Sequence, residues 1–343
     1  MFTENQLSEI KKLISPEKKV VIITHYNPDG DAIGSALGLK HFLNNMGVEP
    51  TVLAPNDFPK FLKWMPDAKK VVIAEYKRKT AGEAIYKADV IFCLDFNAHN
   101  RIGILGDWLM KSWAKKILID HHQQPEDFDY VYSDVTIPAT CQMVYHFIEA
   151  LGREDLVDQN VAECLYTGIM TDTGGFRFRS TSATTHRIVA NLIEKGANPA
   201  MITSNTWDTN SVSRLHLLSL ILGRIELVKD GKVAVLYLKR EELKEFGFEK
   251  GDTEGFVNYG LSIAGTKMAA FFMEDLHEDY IKISFRSKDD VDTNAFARAH
   301  FNGGGHINAS GGKYFKNIYE TIEDFKEKIE KEEFYCKLKT LKI

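Results

Sequence analysis

Asp120-His121-His122 follows a short apolar run, Lys116-Ile117-Leu118-Ile119, without an intervening turn. One carboxylate and two imidazoles are groups that bind metals and move protons. The run before them has the pattern of a fully buried parallel strand, which places that chemistry at the carboxyl end of a sheet, where open α/β sheets bind their ligands. Three further segments end an ordered run in the same residue types: His25 with Asp29 and Asp31, Asp95 after Ile91-Phe92-Cys93-Leu94, and Asp172 at the end of a helical stretch from Asn160. Singly, each has a structural reading. Asp29 or Asp31 suits a turn or helix cap, His25 a partnered core histidine, Asp95 a strand end and Asp172 a cap. Jointly, four aspartates and two neutral histidines drawn from these segments match the charge of two divalent cations, and imidazole favours Mn²⁺ over Mg²⁺. So dense a carboxylate cluster would repel itself without metal.

The elements that must position these residues follow a regular beat. Val20 to Thr24 is an apolar, β-branched strand that runs into the turn cluster Tyr26-Asn27-Pro28-Asp29-Gly30-Asp31. Ile33, Ala36, Leu37, Leu39, Phe42 and Leu43 then recur at helical spacing until Gly47. Strands are expected at Thr51 to Leu53, Val71 to Ala74 and Val90 to Asp95, with a helix near Asp57 to Trp64 and further helices at Thr140 to Leu151 and Asn160 to Met170. The alternation predicts an α/β fold, a parallel sheet with helices on both faces.

Near Gly196 the pattern breaks into Asn198-Pro199 and the polar run Thr203 to Ser211, then a helical segment from Val212 to Leu222. This reads as a linker region. Ile225 to Lys229 and Val233 to Leu238 flank Asp230-Gly231, and Met268 to Met273 pairs with Tyr280 to Phe285, two hairpin signals of a smaller mixed α+β domain. The expected division is residues 1–196, a linker and connecting helix over 197–223, and 224–343. Ile318 to Glu333 reads as a solvated amphipathic helix.

A chain of 343 residues with 44% hydrophobic and 27% charged residues suits two globular domains. Its net charge of -5 argues against gripping long nucleic acid through phosphates. Met1 to Lys19 lacks an apolar run and no stretch approaches the roughly 18 apolar residues of a membrane span. Cys93, Cys141, Cys164 and Cys336 show no C-x-x-C spacing, so a reducing compartment, the cytoplasm, is the expectation.

The motifs carry a resemblance. His25-Tyr26-Asn27-Pro28-Asp29-Gly30-Asp31, Asp95 with Arg101-Ile102-Gly103, Asp120-His121-His122 and Thr167 to Gly174 resemble the successive motifs of the DHH phosphoesterase family. Gly303-Gly304-Gly305-His306 resembles the glycine-rich signature of the accompanying DHHA1 domain. The segment Phe96 to Asn100 departs from the family pattern and leaves the roles of His99 and Arg101 open.

The resemblance implies a phosphoesterase with two Mn²⁺, or Mg²⁺ or Co²⁺ in their place, in a cleft between the two domains. His25, Asp29 and Asp95 would hold one ion, and Asp31, Asp95, His121 and Asp172 the other. A bridging water would be the nucleophile, His122 a catalytic donor, and Asp120 the support of a neighbouring imidazole. Ser284 and Arg286, with Gly303, Gly304, Gly305 and His306, are the expected substrate-binding residues.

Among family types, the compact oligoribonuclease (nanoRNase) and 3'-phosphoadenosine 5'-phosphate phosphatase type fits best. It would release 5'-mononucleotides from short RNA or DNA and AMP from phosphoadenosine phosphate. The alternatives are an exopolyphosphatase, a cyclic or linear dinucleotide phosphodiesterase, and a nucleotide-binding sensor without catalysis. Expected partners are short oligonucleotides or small nucleotides, with no long duplex and no membrane, and the apolar stretch at Val212 to Leu222 is a candidate dimer helix.

Overall fold

The computed structural model describes residues 2–332 and divides them into two units, which meet at Thr209 and Asn210. In the first, six strands form one all-parallel sheet: β1 (Val20–Ile23), β2 (Thr51–Ala54), β3 (Val72–Ile73), β4 (Val90–Leu94), β5 (Lys115–Asp120) and β6 (Tyr130–Ser133). Their order is β3-β2-β1-β4-β5-β6. The order reverses between β1 and β4, and a crevice for ligands opens at such a point beyond the strand carboxyl ends.

Successive side chains of a strand face opposite ways. Val20 and Ile22 of β1 therefore join one core, with Phe92 and Ile117, while Val21 and Ile23 join another, with Ile91 and Leu118. Helices cover both faces, as expected. The first core packs α1 (Glu4–Leu13), α2 (Gly30–Asn45), α5 (Thr140–Leu151), α6 (Gln159–Asp172) and α7 (Ala183–Glu194). The second packs α3 (Arg78–Lys87) and α4 (Ile104–Lys111). α2 and α6 cross very closely. A Cβ on Gly34 would lie 2.6 Å from the Cys164 carbonyl oxygen, and one on Gly168 2.1 Å from the Cys141 sulfur.

Two expected elements differ. The polar run from Thr203 belongs to a helix, α8 (Pro199–Trp207), because Asn198 caps the Met201 amide, Pro199 occupies the first turn, and Ile202 and Thr206 are buried. The helix expected at Asp57 to Trp64 is only a 3₁₀ turn, Lys60–Leu62, started by Pro59 and closed before Pro66.

The second unit holds α9 (Val212–Gly223), β7 (Glu226–Val228), β8 (Val233–Leu238), α10 (Arg240–Glu245), α11 (Val257–Leu261), β9 (Met268–Glu274), β10 (Ile281–Ser287), α12 (Thr293–His300), β11 (Gly304–His306), β12 (Ala309–Tyr314) and α13 (Ile318–Lys331). The sheet order is β11-β12-β10-β9-β8-β7, antiparallel except for β8 with β9. Phe272, Ile283 and Phe285 pack on one face against Phe296 of α12 and Phe325 of α13, so the tail helix is docked by its apolar stripe. Glu333 and Cys336 lie outside the described residues. On the other face Leu236 and Phe271 meet Leu217 and Ile221 of α9, which leaves Val212, Leu215 and Leu222 as that helix's exposed apolar residues.

Candidate metal centre

β1, β4 and β5 end side by side, and each delivers ligand-type residues at its carboxyl end. β1 runs into His25, β4 into Asp95 and β5 into Asp120-His121-His122. Asp95 holds a left-handed backbone with φ of 65°, a conformation a non-glycine residue keeps only when its surroundings enforce it. The α2 start contributes Asp29 and Asp31, and the end of α6 contributes Asp172.

The two imidazoles are oriented alike. Nδ1 of His25 donates to the Tyr26 carbonyl at 2.9 Å and Nδ1 of His121 to the Ile137 carbonyl at 3.1 Å. Each Nε2 is thereby left as a lone-pair donor, the arrangement that metal-ligating histidines adopt. Nε2 of His25 lies 3.5 Å from Asp95 and 3.9 Å from Asp29. Nε2 of His121 lies 3.5 Å from Asp95, 3.8 Å from Asp31 and 3.5 Å from Asp172. His25, Asp29 and Asp95 thus form one donor cluster, Asp31, Asp95 and His121 a second, and Asp95, Asp120 and His122 a third. Asp95 belongs to all three.

Side chains and amides that sequence reasoning passed over hold the carboxylates in place. The two Asp31 oxygens accept the Thr140 amide at 2.6 Å and the Cys141 amide at 2.9 Å, at the N-terminus of α5, where an anion is favoured. The Thr140 hydroxyl donates to Asp95 at 2.9 Å. Asp29 both joins the cluster and caps α2, accepting the Asp31 and Ala32 amides. Asn56 fixes the first loop by exchanging two hydrogen bonds with Asn27, of 2.7 and 2.8 Å. Around the departing segment Phe96 to Asn100, the Asn97 amide group donates to Gln123 O at 2.7 Å and Glu126 accepts from the His99 amide at 2.9 Å. The Arg101 carbonyl accepts the Tyr26 amide at 2.7 Å. This stretch ties the loop after His25 to the loop after His122.

Electrostatics favour a cation here. Burial raises the Asp31 pKa, and the neighbouring charges of Asp95 and Asp172 raise it further. Burial opposes charge on His25, but Asp29 and Asp95 outweigh it and push its pKa up to about 10. Burial also works against ionised Asp95, yet the bond from His25 and the nearby His122 and His121 hold its carboxyl well below the usual range. Facing carboxylates and freed imidazole nitrogens make a donor set that fits divalent metal.

His122 packs edge-on against His121, with ring centroids 5.1 Å apart, but its Nδ1 turns to a carboxylate rather than a carbonyl. Its Nδ1 lies 2.7 Å from Oδ1 of Asp120, both residues are buried, and Oδ2 of Asp120 has no partner among the described residues.

Residues 19–169 match the DHH family N-terminal domain and residues 230–332 the DHHA1 domain. The bifunctional oligoribonuclease and PAP phosphatase NrnA of Thermus thermophilus is 30% identical over 307 residues, 89% of this chain and 86% of that protein. The chain belongs to the DHH family. It is a phosphoester hydrolase. The namesake NrnA of Bacillus subtilis is 26% identical over 310 residues, 90% and 93% of the two chains. The crystal structure of an exopolyphosphatase-related protein from Bacteroides fragilis shares 40% identity at a TM-score of 0.91, with 96% of each chain covered. Asp120-His121-His122 lies within the residues that match the DHH domain.

The DHHA1 residues singled out by sequence lie apart from the metal donors in the chain. Ser284 and Arg286 sit on β10 with Lys282, on the face opposite Ile283 and Phe285, and line a small cleft with Thr253, Glu254 and Gly255. The glycine run is a strand rather than an open loop, with Gly304 opposite Gly311, Gly305 opposite Ser310 and His306 opposite Ala309. Close backbone approach demands it: a Cβ on Gly303 would lie 1.9 Å from the Gly311 carbonyl oxygen. β11 is also the sheet's edge, so one side of its backbone stays unpaired in the sheet.

Proposed function

We propose that this chain hydrolyses short oligonucleotides to 5'-mononucleotides and 3'-phosphoadenosine 5'-phosphate to AMP, using two divalent cations, Mn²⁺ by preference. The observation that supports the two-ion reading is that Asp95 is shared between the cluster of His25 with Asp29 and the cluster of Asp31 with His121. His25 and Asp29 complete one set, and Asp31, His121 and Asp172 the other. When bound, such ions lower the pKa of water and neutralise the charge that develops at phosphorus. The chain's own part is positional and protic. Thr140, Cys141 and the carbonyls of Tyr26 and Ile137 fix the ligands before substrate arrives. The Nε2 of His122 donates toward the phosphate or the leaving oxygen, and Asp120 orients the ring through its Nδ1. The substrate assignment leans on the NrnA relatives, which are named for both activities.

For function we divide the chain into a catalytic part, residues 1–196, a connector over 197–223, and a substrate-binding part, 224–343. Within the last, Arg286 and Ser284 of β10 and the Gly303 to His306 strand bind the phosphate or nucleotide that remains after cleavage. No described helix is long and apolar enough to cross a membrane, and cytoplasmic short RNA is the substrate pool we assign. A second reading, exopolyphosphatase, is favoured by the 40% identity to the exopolyphosphatase-related protein of Bacteroides fragilis. The deciding experiment incubates the protein with Mn²⁺, Mg²⁺ or Co²⁺ and a panel of two- to five-residue RNA, short DNA, phosphoadenosine phosphate, cyclic dinucleotide and polyphosphate. Mononucleotide release from short RNA with little action on polyphosphate supports the main reading; the reverse preference replaces it with the second.

A further inference from the structure

We infer that the turn after Asp172 carries an aromatic platform for a substrate nucleobase, with Phe178 as its exposed face and Trp207 beside it. This rests on the nucleotide-hydrolase reading above. At the end of α6 three consecutive residues, Gly174, Gly175 and Phe176, take left-handed φ values of 58°, 73° and 64°. The chain folds back on itself there. A Cβ on Gly174 would lie 2.5 Å from Cζ of Phe178, and one on Gly175 2.8 Å from Cη2 of Trp207, so the two rings rest on consecutive glycines. Any side chain at either glycine would displace a ring.

The turn is rigid. The Gly175 amide bonds the Met170 carbonyl at 2.8 Å, and the Arg177 and Phe178 amides both bond the Thr173 carbonyl, at 3.0 and 3.1 Å. Phe176 is fixed by Tyr166 and His186, with ring centroids 5.9 and 5.7 Å away. Phe178 of the turn is 37% exposed, and Trp207 at the end of α8 is 42% exposed. Phe178 is six residues from Asp172, whose carboxylate lies 3.5 Å from His121. Exposed Arg177 and Arg179 flank it, and Arg177 is itself anchored through Nε to the Gly174 carbonyl at 2.7 Å. A pre-ordered aromatic face on the turn that leaves the helix ending in Asp172 matches the base of a nucleotide whose phosphate lies at the candidate metal centre. Stacking tolerates every base, so the platform favours nucleotides over polyphosphate without reading sequence.

The test compares wild type, Phe178→Ala and Phe178→Tyr on the dinucleotide ApA and on its abasic counterpart. For ApA, Phe178→Ala should raise KM by about 10-fold to 100-fold with kcat kept, the range expected for one lost base stack. Phe178→Tyr should restore it, and the abasic substrate should show no change. In parallel, AMP is titrated into metal-free protein while tryptophan emission is followed. Quenching that disappears in Trp207→Phe and weakens in Phe178→Ala supports the platform. An unchanged KM for ApA, equal losses on both substrates, or AMP binding indifferent to Phe178 overturns it. Protein that cleaves no phosphoester defeats the functional reading alone, since AMP quenching still decides the platform.

Discussion

Oδ1 of Asp120 and Nδ1 of His122 lie 2.7 Å apart at the end of β5, so the ring's second nitrogen, Nε2, is the one presented for chemistry. Asp120→Asn keeps the shape but weakens the hydrogen bond that orients the His122 ring. Partners of this kind are typically worth about 10–100-fold, and a kcat drop of that size is expected with metal content intact. Atomic absorption alongside steady-state kinetics checks it; loss of metal instead would make Asp120 a ligand.

Asp95→Asn strikes at once every donor cluster that Asp95 joins. Bound metal should fall for both ions, and activity by more than the roughly 100-fold that an outer partner contributes. Retention of one full equivalent of metal would end the shared role.

Protons compete with metal at His25. Its pKa of about 10 in the metal-free protein means that ligation below that pH must displace a proton, so affinity should rise by up to about tenfold per pH unit between 7 and 9. The sign for stability is opposite. A folded pKa raised from 6.5 to about 10 stabilises the metal-free fold fully below pH 6.5, and that share is lost as pH climbs to 10. Metal titrations at three pH values, with urea midpoints of the metal-free protein, test both halves, and His25→Ala should flatten each.

Gly168→Ala puts a methyl 2.1 Å from the Cys141 sulfur and 2.9 Å from Oδ1 of Asp31. Overpacking of this sort costs about 1–3 kcal/mol. The melting temperature should drop, and metal affinity with it because Asp31 is pushed. A variant with unchanged melting temperature would show that α6 moves freely away from α2 and α5.

Much of this could be read in advance because apolar runs and the residues after them are local signals. β1, β4 and β5 announce themselves by unbroken aliphatic sequence, and their terminal residues are those the structure gathers. What escaped was non-local or weakly patterned. Tyr-Val-Tyr-Ser of β6 is a short edge strand, the parallel pairing of β8 with β9 joins two hairpins by no local signal, and α8 hides behind polar side chains. The amides of Thr140 and Cys141 have no side-chain signature at all, though they hold Asp31 in place.

The donors around Asp95 come from stretches as distant as His25 and Asp172, and Asp172 sits at the halfway point of the 343-residue chain. During synthesis, which runs from the N-terminus, the first 120 residues can emerge with a carboxylate-rich pocket and no complete cage. Metal therefore arrives as a late fastening for a fold already organised by its sheet, and a nascent chain stalled before α6 would scavenge cations weakly and cut nothing.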